Sequence, residues 1–500
     1  MTSTAILRRS LLTLLAACIL TTQAGLIAQS PGANQAATAA HPTVPALFLS
    51  DIHLDPFADP AKVAKLNASP AADWPAILSA PASPAQAKDF ATLQAACPTK
   101  GIDTPWVLWQ SSLTAIHSDA SRARFVTVSG DLLAHSFDCK YEKLVPTAKP
   151  GDYVAFTEKT VRTIVTTLRA TLPGVPVYIA MGNNDSGCGD YALDAAHDAF
   201  LGLVAKIVAE ALPADLSSAD RATVQRQFTW DGNYSVPLAG VPNTRLIVLD
   251  DLFLSGKYTT CSGKFDPAPA AAQLAWLTGQ LATARQQHDQ VWVMGHIPPG
   301  VDVYASARKS ANLCSSGNPQ MFLASDALAD LFARNADIIR LAIFGHTHAD
   351  EMRLLTPRPE LMQDAATHSV PLKIVASITP INGNRPSFTL ASIDPASATL
   401  VDYSVFVASN STGAGTTWSK EYTYSATYHR QAFDAAALAS LIPALQADHA
   451  VKAAASQAYV RNYYPGTSSP ALQFVWPQYA CSLDHFSAAG FSACACGTTK

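Results

Sequence analysis

The sequence predicts an α/β protein in which helices flank the β-sheets. Short apolar runs recur along the chain, and segments with apolar residues at helical spacing lie between them. This alternation is typical of layered α/β folds. Five of the apolar runs lead directly into acidic, amide or imidazole side chains. Loops at the carboxyl ends of buried strands are where such folds place their ligands, so the same pattern predicts where a functional site lies.

The composition is that of a globular protein with room for a large core. The chain has 500 residues, of which 49% are hydrophobic and 14% are charged, and this length allows more than one domain. The formal net charge is −4, and no long basic run is present. We therefore expect no nucleic-acid partner.

The N-terminus has the pattern of an export signal. Two arginines precede an apolar stretch that is too short to span a bilayer comfortably, so residues 1–24 are predicted to be a signal peptide. The residues up to Cys18 also match a bacterial lipoprotein box, and lipidation of Cys18 would then be the only contact with a membrane. Cleavage without lipidation is modestly favoured. We expect an exported protein (periplasmic, secreted or lipoprotein-anchored) with a flexible tail over residues 25–43.

Eight cysteines follow Cys18, and an even number in an exported protein indicates disulfide bonds. Their pairing cannot be derived from the spacing. A zinc–thiolate site is the rival interpretation, but no Cys-x-x-Cys pair is present. The eight are Cys97, Cys139, Cys188, Cys261, Cys314, Cys481, Cys494 and Cys496.

Each predicted strand is a short apolar run bounded by glycine, proline or polar residues. The first leads into Asp51-Ile52-His53, and a later one leads into Gly345-His346-Thr347-His348. In chain order, the core strands are predicted at residues 45–50, 124–129, 175–181, 244–249, 290–294, 338–344, 372–377 and 387–393.

Helices are predicted where apolar residues recur near every 3.6 positions. Residues 56–90 contain six prolines and are instead predicted to be a loop-like insertion near the mouth of the site. The predicted helices are residues 104–119, 152–171, 190–212, 270–287 and 325–335.

The pattern changes near residue 400. Strands are predicted at residues 401–407 and 420–428, and residues 433–463 are predicted to be one alanine-rich helix. We therefore interpret residues 44–400 as the main domain and residues 401–500 as a smaller C-terminal α/β extension with disulfide bonds.

Ligand-type side chains follow five of the predicted strands. Carboxylate, amide and imidazole groups suit zinc, manganese or iron, and a two-metal site needs several ligands for each ion. A single Asp-x-His or Gly-Asp motif carries little weight, whereas five such motifs after separate strands are difficult to attribute to chance. The candidate metal ligands are Asp51, His53, Asp131, Asn183, His296, His346 and His348.

In this order the motifs resemble the calcineurin-like metallophosphoesterase family. They are Asp51-x-His53, Gly130-Asp131, Gly182-Asn183-Asn184-Asp185, Gly295-His296 and Gly345-His346-Thr347-His348. The segments that begin with Asp51 and Gly130 are similar to the acid sphingomyelinase and endopolyphosphatase branch. The resemblance covers roughly residues 44–400. It implies a β-sandwich of two mixed sheets flanked by helices, with the site at the strand ends.

The resemblance also implies two divalent metal ions bridged by Asp131. Zinc is favoured, with manganese or iron as alternatives. A hydroxide between the ions would attack phosphorus in line. Asp55 and Asp185 would not bind the ions themselves but would contact the residues that do. The implied ligands are Asp51, His53 and His348 for the first ion and Asn183, His296 and His346 for the second.

One position departs from the family pattern. Most members have histidine after the metal-binding asparagine, whereas this chain has Asn184. An amide donates hydrogen bonds but cannot deliver a proton, so either another residue is the general acid or the leaving group needs no proton. His135 is the candidate substitute, because the branch has histidine near the phosphate at this place. Its alternative is an ordinary loop imidazole, and Asp250 and Asp251, which follow a predicted strand, are interpreted as structural.

These observations predict an exported phosphoester hydrolase that resembles the acid sphingomyelinase-like phosphodiesterases. Its substrate would be a small-molecule or lipid head-group phosphoester. Hydrolysis of polyphosphate or nucleotide phosphoanhydrides is the alternative that Asn184 favours, because a phosphate leaving group needs little protonation. A metal- or phosphate-binding protein without turnover is the alternative from another class, and the complete ligand set argues against it.

Overall fold

The computed structural model describes residues 42–149, 151–196, 198–309, 319–357 and 369–497. The predicted signal peptide, Cys18, the tail as far as residue 41 and Cys314 lie outside the described residues. Within the described part, strands alternate with helices as predicted as far as the strand that ends at Phe344, apart from one pair of successive strands, Tyr234–Pro237 and Thr244–Val248. Three more strands then follow, up to Asp394, with no helix among their described residues.

Twelve strands lie in the described residues and form two six-stranded sheets. In chain order they are β1 (Val44–Leu49), β2 (Val126–Ser129), β3 (Val177–Ala180), β4 (Tyr234–Pro237), β5 (Thr244–Val248), β6 (Gln290–Met294), β7 (Ile339–Phe344), β8 (Glu351–Leu355), β9 (Val370–Ile374), β10 (Ser387–Asp394), β11 (Thr399–Ala408) and β12 (Trp418–Thr423). The first sheet has the order β12-β11-β10-β1-β2-β3, and the second has the order β4-β5-β6-β7-β9-β8.

The strands that precede the candidate ligands are parallel. β1, β2 and β3 are parallel neighbours in the first sheet, and β5, β6, β7 and β9 are parallel neighbours in the second. The remaining strands pair in antiparallel fashion. Because parallel neighbours end along the same edge of a sheet, the loops after β1, β2 and β3 lie side by side, as do those after β6 and β7.

The two sheets pack face to face through aromatic side chains. Phe48 in β1 and Phe125, just before β2, contact the Trp292 ring of β6 edge to face, with centroid separations of 6.1 and 6.0 Å. A second apolar cluster, which includes Leu281 and Phe332, covers the other face of the second sheet. The predicted fold class, two mixed sheets flanked by helices, is confirmed.

Local signals set where the helices begin. The helix at residues 152–171 has the predicted bounds, whereas the one predicted from residue 190 begins only at Ala199. The Asp198 side chain caps this helix by accepting hydrogen bonds from the backbone N–H groups of Phe200 and Leu201. The helices are α1 (Val63–Ala68), α2 (Trp74–Ser79), α3 (Gln86–Ala96), α4 (Trp106–Asp119), α5 (Phe137–Leu144), α6 (Asp152–Thr171), α7 (Ala199–Ala211), α8 (Ser218–Asp231), α9 (Ala268–Gln287), α10 (Val303–Lys309), α11 (Ala327–Ala333), α12 (Tyr424–Tyr428), α13 (Ala435–Ala447), α14 (Ala454–Asn462), α15 (Pro470–Phe474), α16 (Trp476–Cys481) and α17 (Ala488–Cys496).

The prediction of a loop for residues 56–90 is wrong, because this segment contains α1, α2 and the start of α3. Two of its six prolines open helical turns instead of breaking them. Pro60 and Pro75 lie in the first turns of their helices, where the backbone N–H has no partner to lose. Trp74 is fully buried and packs on Phe156 of α6, with ring centroids 4.9 Å apart.

Two predictions for the C-terminal part are also corrected. Residues 420–428 are not one strand, since β12 ends at Thr423 and α12 follows. Residues 433–463 are not one helix, since the Asp448 side chain accepts hydrogen bonds from the backbone of Lys452 and Ala453 and separates α13 from α14. The boundary drawn at residue 401 falls inside β11, which pairs with β10.

Three disulfide bonds join described cysteines, as the even number of cysteines predicts. Cys97–Cys139 ties the end of α3 to α5, and Cys188–Cys261 ties the loop after β3 to a loop that follows β5. Cys481–Cys494 links α16 to α17. Within the described residues, no helix is both long enough and apolar enough to cross a bilayer.

Candidate metal centre

The loops after β1, β2, β3, β6 and β7 bring the seven candidate ligands together. Five of these residues have positive φ angles, a backbone conformation that costs residues other than glycine about 1 kcal/mol or more. Such strain persists where the surroundings enforce it and concentrates at functional sites. The five are Asp51 (φ 47°), His53 (φ 44°), Asp131 (φ 55°), His346 (φ 72°) and His348 (φ 61°).

The first group of candidate ligands consists of two carboxylates and two imidazoles. Ligand atoms of Asp51, His53, Asp131 and His348 all lie within 4.8 Å of one another, and the four residues are buried. His348 Nε2 lies 3.2 Å from Asp51 Oδ1, and His53 Nε2 lies 3.3 Å from Asp131 Oδ2. Oxygen and imidazole donors at these separations suit a divalent ion.

The second group is arranged around the amide oxygen of Asn183. This oxygen lies 3.2 Å from His296 Nε2 and 2.9 Å from His346 Nδ1. His296 Nε2 also lies 3.2 Å from Asp131 Oδ2. The same carboxylate oxygen of Asp131 therefore faces one imidazole of each group, His53 in the first and His296 in the second.

Hydrogen bonds outside the centre orient the candidate ligands. The Nδ1 atoms of His53 and His296 lie 2.7 Å from the carbonyl oxygens of Leu133 and Ser129, respectively. An imidazole that donates its Nδ1–H to a carbonyl leaves Nε2 free to bind a metal. In the same way, Asn183 Nδ2 donates to Asp190 Oδ1 at 2.7 Å, which turns the amide oxygen toward the two histidines.

The buried carboxylates of the centre need nearby positive charge to stay ionised. Burial raises the pKa of Asp131, but His296 and His53 outweigh burial and hold it well below its usual value. Burial lowers the pKa of both imidazoles, but Asp131 outweighs it and raises the pKa of His53 to about 9 and that of His296 to about 10. His53 Nε2 and His348 Nδ1 are buried without a hydrogen-bond partner. Buried charges are normally paired or bound to metals, so these residues fit a cationic metal centre.

Asn184 and Asp185 lie behind Asp131. The backbone N–H and the side-chain Nδ2 of Asn184 donate to Asp131 Oδ1 and Oδ2, each at 2.9 Å. Asp185 accepts hydrogen bonds of 2.8 and 3.0 Å from the backbone of Leu132 and Leu133. Burial, and next the charge of Asp131, raise the pKa of Asp185 to about 7. Both residues therefore support the loop that carries Asp131.

His135 lies beside the first group of candidate ligands. Its ring stacks on His53 with centroids 4.2 Å apart, and ring nitrogens of His135, His53 and His348 lie within 4.8 Å of one another. His135 Nδ1 lies 3.0 Å from Asp103 Oδ1, and about one third of the His135 side chain, 31%, is exposed. A ring held by a carboxylate at Nδ1 keeps Nε2 available for proton transfer.

Asp55 contacts this centre only indirectly. Its carboxylate lies 2.8 Å from Lys140 Nζ, which in turn lies 3.9 Å from Asp103 Oδ2. All three side chains are buried. Asp55, Lys140, Asp103 and His135 thus form a chain of polar contacts that leads from buried residues to the partly exposed His135 ring.

Sequence reasoning did not identify Asp103, Lys140 or Asp190. Asp103 and Asp190 follow no apolar run, and Lys140 lies within a helix, so no motif distinguishes them. Asp251 has the structural role that the sequence suggests, because it accepts hydrogen bonds from the backbone N–H groups of His296 and Ile297. Burial is the largest influence on Asp251 and raises its pKa to about 7.

Comparison with known proteins confirms the family that the motifs resemble. The family model for calcineurin-like phosphoesterases matches residues 44–350. A cyclic GMP-AMP phosphodiesterase of Homo sapiens is 23% identical over 65% of this chain and 66% of its own length. A sphingomyelinase phosphodiesterase D of Dictyostelium discoideum is 27% identical over 53% of this chain and 56% of its own length.

A third relative is matched over more of both chains. Acid sphingomyelinase-like phosphodiesterase 3b of Homo sapiens is 24% identical over 77% of this chain and 77% of its own length. Among solved structures, a dimetal phosphatase from Danio rerio is 11% identical to this chain, with a TM-score of 0.38. The match covers 76% of this chain and 100% of the phosphatase. This TM-score is too low for a comparison of site geometry.

Proposed function

The chain belongs to the calcineurin-like phosphoesterase family, and we propose that it is an exported phosphodiesterase of the acid sphingomyelinase-like type with two divalent metal ions. The position of Asp131 Oδ2, 3.3 Å from His53 Nε2 and 3.2 Å from His296 Nε2, carries this proposal. A carboxylate oxygen between two imidazoles of separate ligand groups suits a bridging role. Asp51, His53 and His348 would hold the first ion, and Asn183, His296 and His346 the second.

When bound, the ions would supply an activated water and offset negative charge on the phosphoryl group. The side chains of the protein would hold the groups that take part in the reaction in position. Asn184 and Asp185 keep the Asp131 loop in place, and the Asn184 amide can donate a hydrogen bond but no proton. His135, held by Asp103, would deliver the proton to a leaving alkoxide.

Zinc is the favoured ion, because imidazole nitrogens dominate the donor set. Manganese or iron would suit the carboxylate and amide donors as well. Metal analysis of protein purified without added metal distinguishes these ions. Export is supported by the three disulfide bonds, which persist in oxidising compartments.

The proposed substrate is a small-molecule or lipid head-group phosphodiester. Two of the relatives are named for cyclic GMP-AMP and for sphingomyelin, so both kinds of diester belong in a substrate panel. Phosphoanhydride hydrolysis is the second candidate. Asn184 favours it, because an amide in place of the imidazole suits a leaving group that needs no proton.

The decisive experiment combines metal analysis with hydrolysis assays on Asp131→Ala and the wild type. The panel contains a bis-aryl phosphate, a mono-aryl phosphate, sphingomyelin, cyclic GMP-AMP, ATP and polyphosphate. We expect the substitution to abolish hydrolysis and to reduce bound metal, because both groups of ligands lose a member. Unchanged hydrolysis would refute the two-metal proposal. Bound metal without hydrolysis of any substrate by the wild type would favour a binding protein without turnover.

A further inference from the structure

Tyr191 contacts two candidate ligands of the second ion. Its backbone N–H donates to the carbonyl oxygen of Asn183 at 2.9 Å, and its hydroxyl lies 3.5 Å from His346 Nε2. The rings of Tyr191 and His346 meet edge to face, with centroids 6.4 Å apart. One residue therefore reaches Asn183 through its backbone and His346 through its side chain.

The backbone of Tyr191 is held in a strained conformation. Its φ angle is 56°, in the left-handed region that costs residues other than glycine about 1 kcal/mol or more. Five of the candidate metal ligands share this feature. Strain of this kind persists where the surroundings enforce it and concentrates at functional sites. The conformation of Tyr191 therefore points to a role in the centre.

Contacts with a second loop enforce this conformation. The Tyr191 carbonyl oxygen accepts a hydrogen bond of 3.0 Å from the backbone N–H of Thr259. The Cys188–Cys261 disulfide joins the same two loops. Lys257 Nζ lies 4.7 Å from the centroid of the Tyr191 ring, within the range of a cation–π contact, and 3.4 Å from its hydroxyl. The fold itself therefore sets the position of this hydroxyl.

The orientation of the His346 ring determines which of its nitrogens can bind metal. Nδ1 lies 2.9 Å from Asn183 Oδ1, so this nitrogen faces the second group of candidate ligands. A metal-bound imidazole is neutral, and its other nitrogen carries the proton. Histidine ligands normally donate that proton to an oxygen. The Tyr191 hydroxyl is the oxygen that lies at the outer limit of hydrogen-bond distance from His346 Nε2.

Ring packing alone does not determine this orientation. Phe322 also meets the His346 ring edge to face, with centroids 5.8 Å apart. A hydrocarbon ring can fix the plane of the imidazole, but it has no acceptor and cannot distinguish a nitrogen edge from a carbon edge. The hydroxyl of Tyr191 supplies that distinction.

We propose that Tyr191 is a positioning residue for the second ion, whose hydroxyl accepts the Nε2–H of His346 and keeps Nδ1 directed at that ion. This inference rests on the proposed two-metal function. The rings of Tyr191 and Phe322 fix the plane of the imidazole, and the hydroxyl fixes which edge faces the ion. The role requires no contact between Tyr191 and the substrate.

The test is a metal titration of the wild type and Tyr191→Phe. Both proteins are freed of metal and titrated with Zn²⁺ in competition with a chromogenic chelator. The substitution keeps the ring and removes the acceptor, so we expect the second ion to bind on the order of tenfold to a hundredfold more weakly. The affinity for the first ion should not change. Asn183→Ala removes a ligand of the second group and identifies the step that belongs to the second ion.

Tyr258→Phe is the matched control. Tyr258 lies one residue after Lys257, and its buried hydroxyl donates to the carbonyl oxygen of Leu193 at 3.0 Å. Leu193 is not a candidate ligand, so this substitution should lower the melting temperature while leaving both metal affinities unchanged. If second-ion affinity fell in parallel with stability in both variants, the effect would be merely structural and the inference would be overturned.

Hydrolysis of a bis-aryl phosphate provides a second readout. At limiting zinc, Tyr191→Phe should be less active than the wild type, and saturating zinc should restore most of the activity because the loss lies in occupancy. Unchanged affinity for the second ion, or hydrolysis that stays low at full occupancy, would overturn the inference while leaving a two-metal phosphoesterase. Binding of fewer than two ions by the wild type would instead refute the proposed function itself.

Discussion

The chain of polar contacts from Asp55 to His135 is the clearest feature at the scale of single residues. Asp103 is buried, and besides His135 it accepts a hydrogen bond of 3.1 Å from the Thr379 hydroxyl. Burial raises its pKa, but His135, His53 and Lys140 together outweigh burial and hold the pKa below its usual value. A buried carboxylate that stays ionised can stabilise the charged imidazole during proton transfer. Asp103 would therefore position His135 without touching the substrate.

Replacing Asp103 by Asn tests this role. The amide keeps the shape but removes the charge, so we expect kcat/KM for alkyl diesters to fall by on the order of tenfold to a hundredfold. The loss for activated aryl diesters should be smaller, since their leaving groups need no proton. A leaving-group series provides the measurement, with Asp119→Asn, an exposed aspartate at the end of α4, as the control. Equal losses across the series would exclude a role in proton delivery.

Metal binding should release protons, because His53 and His296 have pKa values of about 9 and about 10 in the metal-free protein. Both are raised above the ordinary value of about 6.5, so both imidazoles are protonated near neutral pH and must lose a proton to bind metal. We expect about two protons per metal-loaded protein at about pH 7.5. Isothermal titration calorimetry in buffers of different ionisation enthalpy measures this number. A binding heat that is independent of the buffer would contradict the prediction.

At the scale of elements, the junctions between strands and loops determine the geometry of the centre. Gly130 has a φ angle of 89°, and a Cβ atom there would lie 2.6 Å from His296 Nδ1. A Cβ atom at Gly345 would collide with Ser50 Oγ and lie 2.7 Å from Asp51 Oδ2. These glycines let loops from the two sheets approach each other, which explains why these two ligand motifs begin with glycine.

Replacing Gly345 by Ala should therefore damage the centre. The added methyl group has no space, so we expect a loss of about 1–3 kcal/mol in the free energy of unfolding and reduced metal content. Thermal denaturation and elemental analysis provide the measurements. The matched control is Gly202→Ala in α7, where a Cβ atom meets nothing within 4 Å and a helical alanine should stabilise by up to about 1 kcal/mol. Equal stability of the two variants would show that this close approach is unimportant.

Strands whose apolar pattern is nearly continuous could be predicted from the sequence. Strands whose charged residues are compensated only by contacts in the folded protein could not. β7 is an apolar run broken only by Arg340 and was predicted, but β8 was not, because two charged residues, Glu351 and Arg353, interrupt its five-residue pattern. Both side chains are buried, and Arg353 Nη2 donates to Glu351 Oε2 at 2.7 Å. The charges compensate each other only in the folded sheet, so no local rule identifies the strand.

At the scale of the whole molecule, the C-terminal residues extend the first sheet and contact the edge of the second. β11 and β12 extend the first sheet beyond β10. The Tyr479 hydroxyl in α16 donates to Glu351 Oε2 at 2.5 Å, and Asp350 N donates to Tyr463 O at 2.8 Å. Asp350 lies two residues after His348, so the C-terminal helices support the loop that carries candidate metal ligands.

Removal of the residues after 430 should prevent stable folding. The truncation would expose the buried Glu351–Arg353 pair and the surfaces of β8 and β9 that α13 covers. Tyr479→Phe is the milder comparison and should cost about 1–3 kcal/mol, because it removes one donor from a buried carboxylate. Circular dichroism and thermal melting report both effects. Cooperative melting and hydrolysis by the truncated chain would instead support an independent domain over residues 44–400.

The sequence by itself determined the fold class, the order of the strands that precede the candidate ligands, and the residue types at their ends. These features are local, since an apolar run followed by glycine and a ligand-type side chain can be read from neighbouring residues. Only the tertiary structure decided that Asp131 faces both groups of imidazoles and that Asp103 holds His135. Each of these contacts joins segments far apart in the chain, and packing of the two sheets brings them together.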